Sequence, residues 1–131
     1  MSVPANFFTT YNVVASPADA TETVIAILSG VGPLLPDLTV KLRGVVTILT
    51  DADVTAVQLT VRQGSLAGNV VGDSWDTDVP GGAAQLHLTC TVETFDNPGD
   101  FAGAVYVLTA GCESASGASV VNDLVFEARV D

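Results

Sequence analysis

LTVKLRGVVTILTDADVTAVQLTVR, residues 38–62, contains two long runs in which apolar and polar residues alternate. One side of each run is apolar: Val40, Leu42, Val46 and Ile48 in the first, and Val57, Leu59 and Val61 in the second. A period of two is typical of β-strands that bury one face. Asp51 and Asp53 between the runs are turn-forming residues. The stretch therefore predicts a β-hairpin with an acidic turn.

The rest of the chain is also rich in residues that favour β-strands. Its 131 residues include 21 Val and 14 Thr, and β-branched residues favour a pleated, half-buried surface. Further β-prone runs occur at 7–16, 22–28, 69–71, 85–94, 101–110 and 119–130. Seven or eight short strands without a helical period predict one all-β domain, a two-sheet β-sandwich over residues 7–131 after a flexible arm at 1–6.

Two topologies suit such a sandwich, the jelly roll and the immunoglobulin-like fold. The immunoglobulin pattern needs a Cys, a Trp and a second Cys in that order. Here Trp75 precedes both Cys90 and Cys112. We therefore prefer the jelly roll. Cys90 lies in step with apolar strand residues, which predicts a buried free thiol, and a Cys90–Cys112 disulfide is the alternative.

The formal net charge is −11, from 15 acidic and four basic residues. An acidic surface repels phosphate backbones and anionic lipids, so we expect neither nucleic-acid nor membrane binding. Charged residues make up only 15% of the chain, which indicates that partner chains cover some apolar surface. The opening MSVPANFF lacks a basic region and a long apolar run, so we expect no signal peptide and synthesis in a cytoplasm.

Few residues in the sequence are candidates for metal binding, ligand binding or catalysis. Asp73, Asp76 and Asp78 surround Trp75 in a segment, 73–84, that we predict to be irregular. A solvated acidic loop is one interpretation and a calcium site is the other, although the twelve-residue calcium pattern is missing. Trp75 could cover the open end of the sandwich, anchor an interface or stack on a sugar. A single histidine and no GxSxG, HExxH or CxxC motif predict no enzyme, no cofactor and no metal.

Several apolar residues are candidates for an interface with another chain. Phe7, Phe8 and Tyr11 lie in an uncharged N-terminal segment, and Leu34 and Leu35 lie in a loop, 29–37, rich in Gly and Pro. Phe7 and Phe8 could instead begin a core strand. The runs TVIAIL and AVYVLT are apolar on both faces, which a two-layer sandwich does not bury by itself. They predict a homo-oligomer, and we expect a homotrimer.

The chain as a whole resembles jelly-roll capsid decoration proteins of tailed bacteriophages. The resemblance lies in NFFTTYNVV, TVIAIL, the 38–62 stretch, PGDFAGAVYVLTA and the ending LVFEARVD. It implies a non-enzymatic virion protein, commonly trimeric, that is made in the host cytoplasm. Such a protein binds the outside of the major capsid protein lattice and reinforces contacts between its subunits. A tail or fibre component and a carbohydrate-binding sandwich that uses Trp75 and Tyr106 are the alternatives.

Overall fold

The structure is a computed structural model that describes residues 6–8, 22–31, 39–50, 56–76, 86–97, 104–112 and 118–130. These residues form strands and turns and contain no helix. The strands are β1 (Asn6–Phe8), β2 (Thr23–Val31), β3 (Val40–Thr50), β4 (Val57–Gln63), β5 (Val70–Asp76), β6 (Leu86–Asp96), β7 (Ala104–Cys112) and β8 (Ala118–Val130).

The eight strands form two antiparallel four-stranded sheets. Sheet A has the order β1-β8-β3-β6, and sheet B has the order β2-β7-β4-β5. In sheet A the first strand pairs with the last, and in sheet B the second strand pairs with the seventh. With β3 beside β8 and β4 beside β7, this strand order is that of the two Greek keys of a jelly roll. The predicted all-β sandwich and the preference for a jelly roll are confirmed.

The predicted hairpin at 38–62 is wrong, although both of its strands exist. β3 pairs with β6 and β8 in sheet A, whereas β4 pairs with β5 and β7 in sheet B. The apolar sides of the two strands therefore belong to opposite sheets and enclose the core between them. Alternation identifies which side of a strand is buried, but it does not identify the neighbouring strand.

The core lies between the sheets and follows the alternation in the sequence. All the apolar residues quoted from β3 and β4 are buried, and β6, β7 and β8 add further members: Cys90, Val92, Tyr106, Leu108, Ala110, Cys112, Leu124, Phe126 and Ala128. Both cysteines are free thiols, as predicted for Cys90. At the centre, a Cβ on Gly44 would lie 3.0 Å from Leu108 of the other sheet. This glycine lets the sheets approach closely.

β5 is longer than the sequence predicts, because Asp73–Asp76 continue the strand where an irregular segment was expected. Ser74 pairs with Leu59, and Trp75 pairs with Gln58. Asp and Ser have low strand propensity, but β5 is an edge strand and one of its sides is exposed to solvent. A Cβ on Gly72 would lie 2.4 Å from Thr94 Oγ1, so small residues let β5 lie against β6 of sheet A.

β7 is buried on both sides within a single chain. Tyr106 to Ala110 are all buried, and Thr109, on the side away from the core, is covered by contacts to Glu22 and to the Thr60 carbonyl. The expectation that AVYVLT needs a partner chain is therefore wrong. In β2, Ile27 is 38% exposed, so that strand keeps an uncovered apolar side chain.

Candidate functional site

Three of the four basic residues of the chain lie on the outer side of sheet A. Lys41 on β3 is in register with Phe95 on β6 and with Arg129 on β8. Two residues further along β3, Arg43 is in register with Glu93 and Glu127. Residues in register on neighbouring strands share one side of a sheet. We call this group the basic face: Lys41, Arg43, Glu93, Phe95, Glu127 and Arg129.

Ion pairs and a ring contact organise the basic face. Arg43 Nε lies 3.3 Å from Glu93 Oε1, and Arg43 Nη1 lies 3.9 Å from Glu127 Oε1. Lys41 Nζ is 5.9 Å from the centre of the Phe95 ring, within cation–π range. The five charged residues line a depression of about 300 Å³. The side chains of Arg43 and Glu93 are about half exposed, so their ion pair contributes little to folding and is accessible from solvent.

Apolar side chains are exposed within and beside the basic face. Phe95 is 63% exposed, although it is a large aromatic residue. Val125 on β8 is also exposed and is in register with Val45. Exposed apolar groups among arginines are typical of protein-binding surfaces. The sequence showed Lys41 and Arg43 on the polar side of β3, but only the strand order brings Phe95 and Arg129 beside them.

Trp75 lies on the other sheet, on edge strand β5. It is 52% exposed, so it does not cover the open end of the sandwich. Its cross-strand neighbour Gln58 donates a hydrogen bond from Nε2 to Asp73 Oδ2 at 3.3 Å. An indole ring with an amide and a carboxylate beside it is therefore presented to solvent.

The other residues predicted to form an interface have different outcomes. Phe7 and Phe8 are part of β1 and are in register with Ala128 and Glu127 of β8, so this segment is an edge strand of sheet A. The backbone of these two residues is therefore part of the sandwich, and their role in an interface stays a prediction. Tyr11, Leu34 and Leu35 lie outside the described residues.

Tyr106 is fully buried and is not part of a sugar-binding surface, which corrects one component of the carbohydrate alternative. Its hydroxyl donates to Asp96 Oδ2 at 2.7 Å and links sheet B to sheet A. Burial, followed by the neighbouring Asp96 carboxylate, raises the pKa of Tyr106 far above its ordinary value. The role of Tyr106 is structural.

A polar cluster on the outer side of sheet B was not predicted. Arg62 on β4 donates from Nε and Nη2 to the two carboxylate oxygens of Glu22 at 2.7 and 2.8 Å, and from Nη1 to the Gly68 carbonyl at 2.9 Å. Thr109 on β7 donates to the same carboxylate. The hydrogen bond from Arg62 is the largest cause of the lowered pKa of Glu22. The cluster ties β4, β7 and the β4–β5 turn to the start of β2.

The described residues contain no group of three His, Cys, Asp or Glu side chains placed to hold a metal ion. Asp78, which completed the acidic run considered for calcium, lies outside them. Within the same residues, no helix is long and apolar enough to cross a membrane.

Comparisons with known proteins find similarity in structure alone. No family model and no curated protein matches the sequence. Similar solved structures include a CBM4 structure with 18% identity and a TM-score of 0.37, covering 98% of this chain and 89% of that chain. The enzymatically active domain of tailspike protein 4 from bacteriophage CBA120 has 11% identity and a TM-score of 0.36, covering 95% of this chain and 19% of that one.

A third similar structure concerns carbohydrate-binding modules from the β-sandwich superfamily. It has 15% identity and a TM-score of 0.36, and the match covers 98% of this chain and 54% of that chain.

Proposed function

We propose that this protein is a non-enzymatic structural protein of a bacteriophage virion, of the capsid decoration type. It binds the outside of the major capsid protein lattice and stabilises contacts between capsid subunits. The basic face is the structural observation that carries this proposal, because exposed Phe95 and Val125 among charged side chains are typical of a surface that binds protein. The sequence resemblance to decoration proteins supports the choice of the capsid as partner.

The proposal includes a homotrimer and a position on the capsid exterior after synthesis in the host cytoplasm. Residues 1–11 form part of the proposed contact with the lattice, because this segment is uncharged and aromatic. Aromatic anchors in desolvated pockets contribute strongly to interfaces. An acidic protein is repelled by any acidic surface of a lattice, so apolar contact is the more effective source of affinity.

The test is to locate the protein in purified virions. Mass spectrometry should detect it at a copy number comparable to that of the major capsid protein. Gold-labelled antibody should decorate the capsid and not the tail. Label on the tail would favour the tail or fibre alternative, and a protein absent from virions would overturn the proposal.

One observation favours carbohydrate binding as a second candidate function. Trp75 is half exposed beside Gln58 and Asp73, and a flat ring next to hydrogen-bonding groups suits the apolar and polar sides of a sugar. Affinity electrophoresis in gels containing soluble polysaccharides tests this candidate. Binding should slow the wild type and not a Trp75→Ala variant, with Phe95→Ala on the other sheet as the control for a lost exposed aromatic residue. Equal mobility with and without polysaccharide would exclude the polysaccharides used.

A further inference from the structure

We infer that Trp75, Gln58 and Asp73 bind the ammonium group of an amino sugar. The inference rests on carbohydrate binding, the second candidate function, and it deepens that candidate by naming the class of sugar. The class of sugar follows from the hydrogen-bonding groups and the charge beside the indole ring. The proposed role on a capsid does not depend on it.

The three side chains form one small cluster on the outer side of sheet B. Asp73 and Trp75 are two residues apart on β5, so they point to the same side of the strand. Gln58 of β4 is in register with Trp75, and its Nε2 donates to Asp73 Oδ2. The indole is 52% exposed, and Asp73 is exposed as well. A ligand can therefore reach the ring, the amide and the carboxylate together.

Hydrogen-bond acceptors are the groups that this cluster offers to a ligand. The contact between Gln58 and Asp73 uses one N–H of the amide and one oxygen of the carboxylate. Within the part of the chain that the structure describes, the Gln58 carbonyl oxygen and Asp73 Oδ1 accept no hydrogen bond. The complementary group of a ligand is therefore a donor, such as a hydroxyl or an ammonium group.

No Lys or Arg side chain neutralises the carboxylate of Asp73 in the described structure. All four Lys and Arg residues lie in described strands, and three of them belong to the basic face on the other sheet. The fourth, Arg62, donates to Glu22 and to the Gly68 carbonyl. The charge of Asp73 therefore favours an ammonium group over a neutral hydroxyl, and the net charge of −11 attracts cations over longer distances.

Trp75 supplies a second attraction for a cation. Among aromatic side chains, the indole ring attracts an ammonium group above its face most strongly. The same flat ring covers the apolar side of a sugar, which a simple alkyl ammonium does not have. A sugar acid would place its own carboxylate beside that of Asp73. An amino sugar is therefore the ligand that matches the ring, the amide and the carboxylate.

Trp75 is the only tryptophan of the chain, so its fluorescence reports directly on this cluster. Titration with glucosamine oligosaccharides should give a dissociation constant about fivefold lower than titration with N-acetylated oligosaccharides of the same length. Acetylation removes the positive charge and keeps the sugar ring. Equal constants, or no response to the glucosamine series, would overturn the inference. Carbohydrate binding itself is decided by the affinity electrophoresis with neutral polysaccharides, so the two failures are distinguishable.

Asp73→Asn tests the carboxylate, because it removes the charge and keeps nearly the same shape. It should raise the dissociation constant of glucosamine oligosaccharides about fivefold and leave that of the acetylated ones unchanged. Thr89→Lys is the matched control, since it makes the same change in net charge at an exposed position of the other sheet. Equal effects of the two variants would mean that net charge, and not Asp73, selects the ligand, against the inference. Circular dichroism checks that both variants fold.

A linear diamine separates an amino sugar from a plain ammonium ligand. Cadaverine carries the positive charge without a sugar ring, so it should bind more weakly than the glucosamine oligosaccharides. Equal or tighter binding of cadaverine would assign the cluster to alkyl ammonium groups, such as the Lys side chains of another protein. That result would overturn the sugar as the ligand.

Discussion

Glu22 and Arg62 show how one side-chain pair can connect several strands. Arg62 holds both oxygens of the Glu22 carboxylate, and Thr109 donates to one of them. The pair is partly buried, with side-chain exposures of 30% for Glu22 and 22% for Arg62. A charge-assisted, bidentate pair in such a position contributes more to stability than exposed pairs do, such as the pair between Arg43 and Glu93.

Replacing Glu22 by Gln should lower the free energy of unfolding by about 1–3 kcal/mol at neutral pH, because Arg62 loses its charged acceptor. The folded pKa of Glu22 lies below its ordinary value of 4.5, so the pair contributes fully above that pH. The contribution is lost as pH falls through the lowered pKa. Urea unfolding at a series of pH values measures this contribution. The difference in free energy of unfolding between wild type and variant should disappear in acid.

Glu93→Gln is the matched control, since Glu93 also pairs with an arginine but is half exposed. Its effect should stay below about 1 kcal/mol. Two results would contradict the structural role of Glu22. One is an effect of Glu22→Gln equal to that of Glu93→Gln, and the other is a difference in free energy of unfolding between wild type and Glu22→Gln that does not change with pH.

At the scale of elements, β5 and β6 join the two sheets along one margin of the sandwich. Thr94 on β6 donates from Oγ1 to the Val71 carbonyl of β5 at 2.9 Å. Gly72 permits this approach, because a Cβ there would lie within 2.5 Å of two Thr94 atoms. The margin is therefore sensitive to a single added methyl group.

Gly72→Ala should destabilise the protein by about 2 kcal/mol, because the added Cβ forces β5 away from Thr94. Ser74→Ala, two residues further along β5, is the control, and it should change the unfolding free energy by less than about 1 kcal/mol. Thermal and urea unfolding measure both variants. A Gly72→Ala variant as stable as wild type would mean that β5 and β6 are further apart than in this structure.

The thiols test the packing of β6 and β7. Cys90 and Cys112 are buried free cysteines in the core. Both should react slowly with an aromatic disulfide reagent in the native state and rapidly in denaturant, because labelling requires opening of the sandwich. Two thiols per chain should be counted after unfolding. Fast native labelling would contradict the burial of these strands, and fewer than two thiols would indicate a disulfide.

At the scale of the whole molecule, the N-terminal segment has two possible roles that one deletion separates. Within the described residues, β1 contributes three residues at an edge of sheet A and pairs with β8 alone. Removal of residues 1–8 should therefore leave a folded sandwich that binds capsids less well, according to the proposed function.

Circular dichroism and sedimentation with capsids that lack the protein measure the two effects. Deletion of residues 1–5 is the control, because it leaves β1 in place. A folded 1–8 deletion variant that binds capsids normally would contradict the docking role, and an unfolded one would assign Phe7 and Phe8 to the sandwich itself. Capsid binding should depend weakly on salt, since the segment is uncharged.

The sequence by itself determined the fold class, the strands and the buried side of most strands. Alternate residues of β3 and β4 face the core as the pattern predicts: Val40, Leu42, Val46, Ile48, Val57, Leu59 and Val61. The side to which a residue points is a local property of an extended chain. The buried state of Cys90 followed from the same reasoning. Trp75 could not be placed, because propensity disfavours a strand rich in Asp and Ser although an edge position tolerates it.

Only the tertiary structure decided which strands are neighbours. The acidic connection between β3 and β4 is typical of a hairpin turn, yet the two strands lie in opposite sheets because each pairs with strands that are distant in sequence. The basic face depends on those distant pairings, since Lys41 and Arg129 meet only through β3 and β8. Pairing energy between strands depends on the burial of whole sheets, and no local pattern in the sequence encodes that.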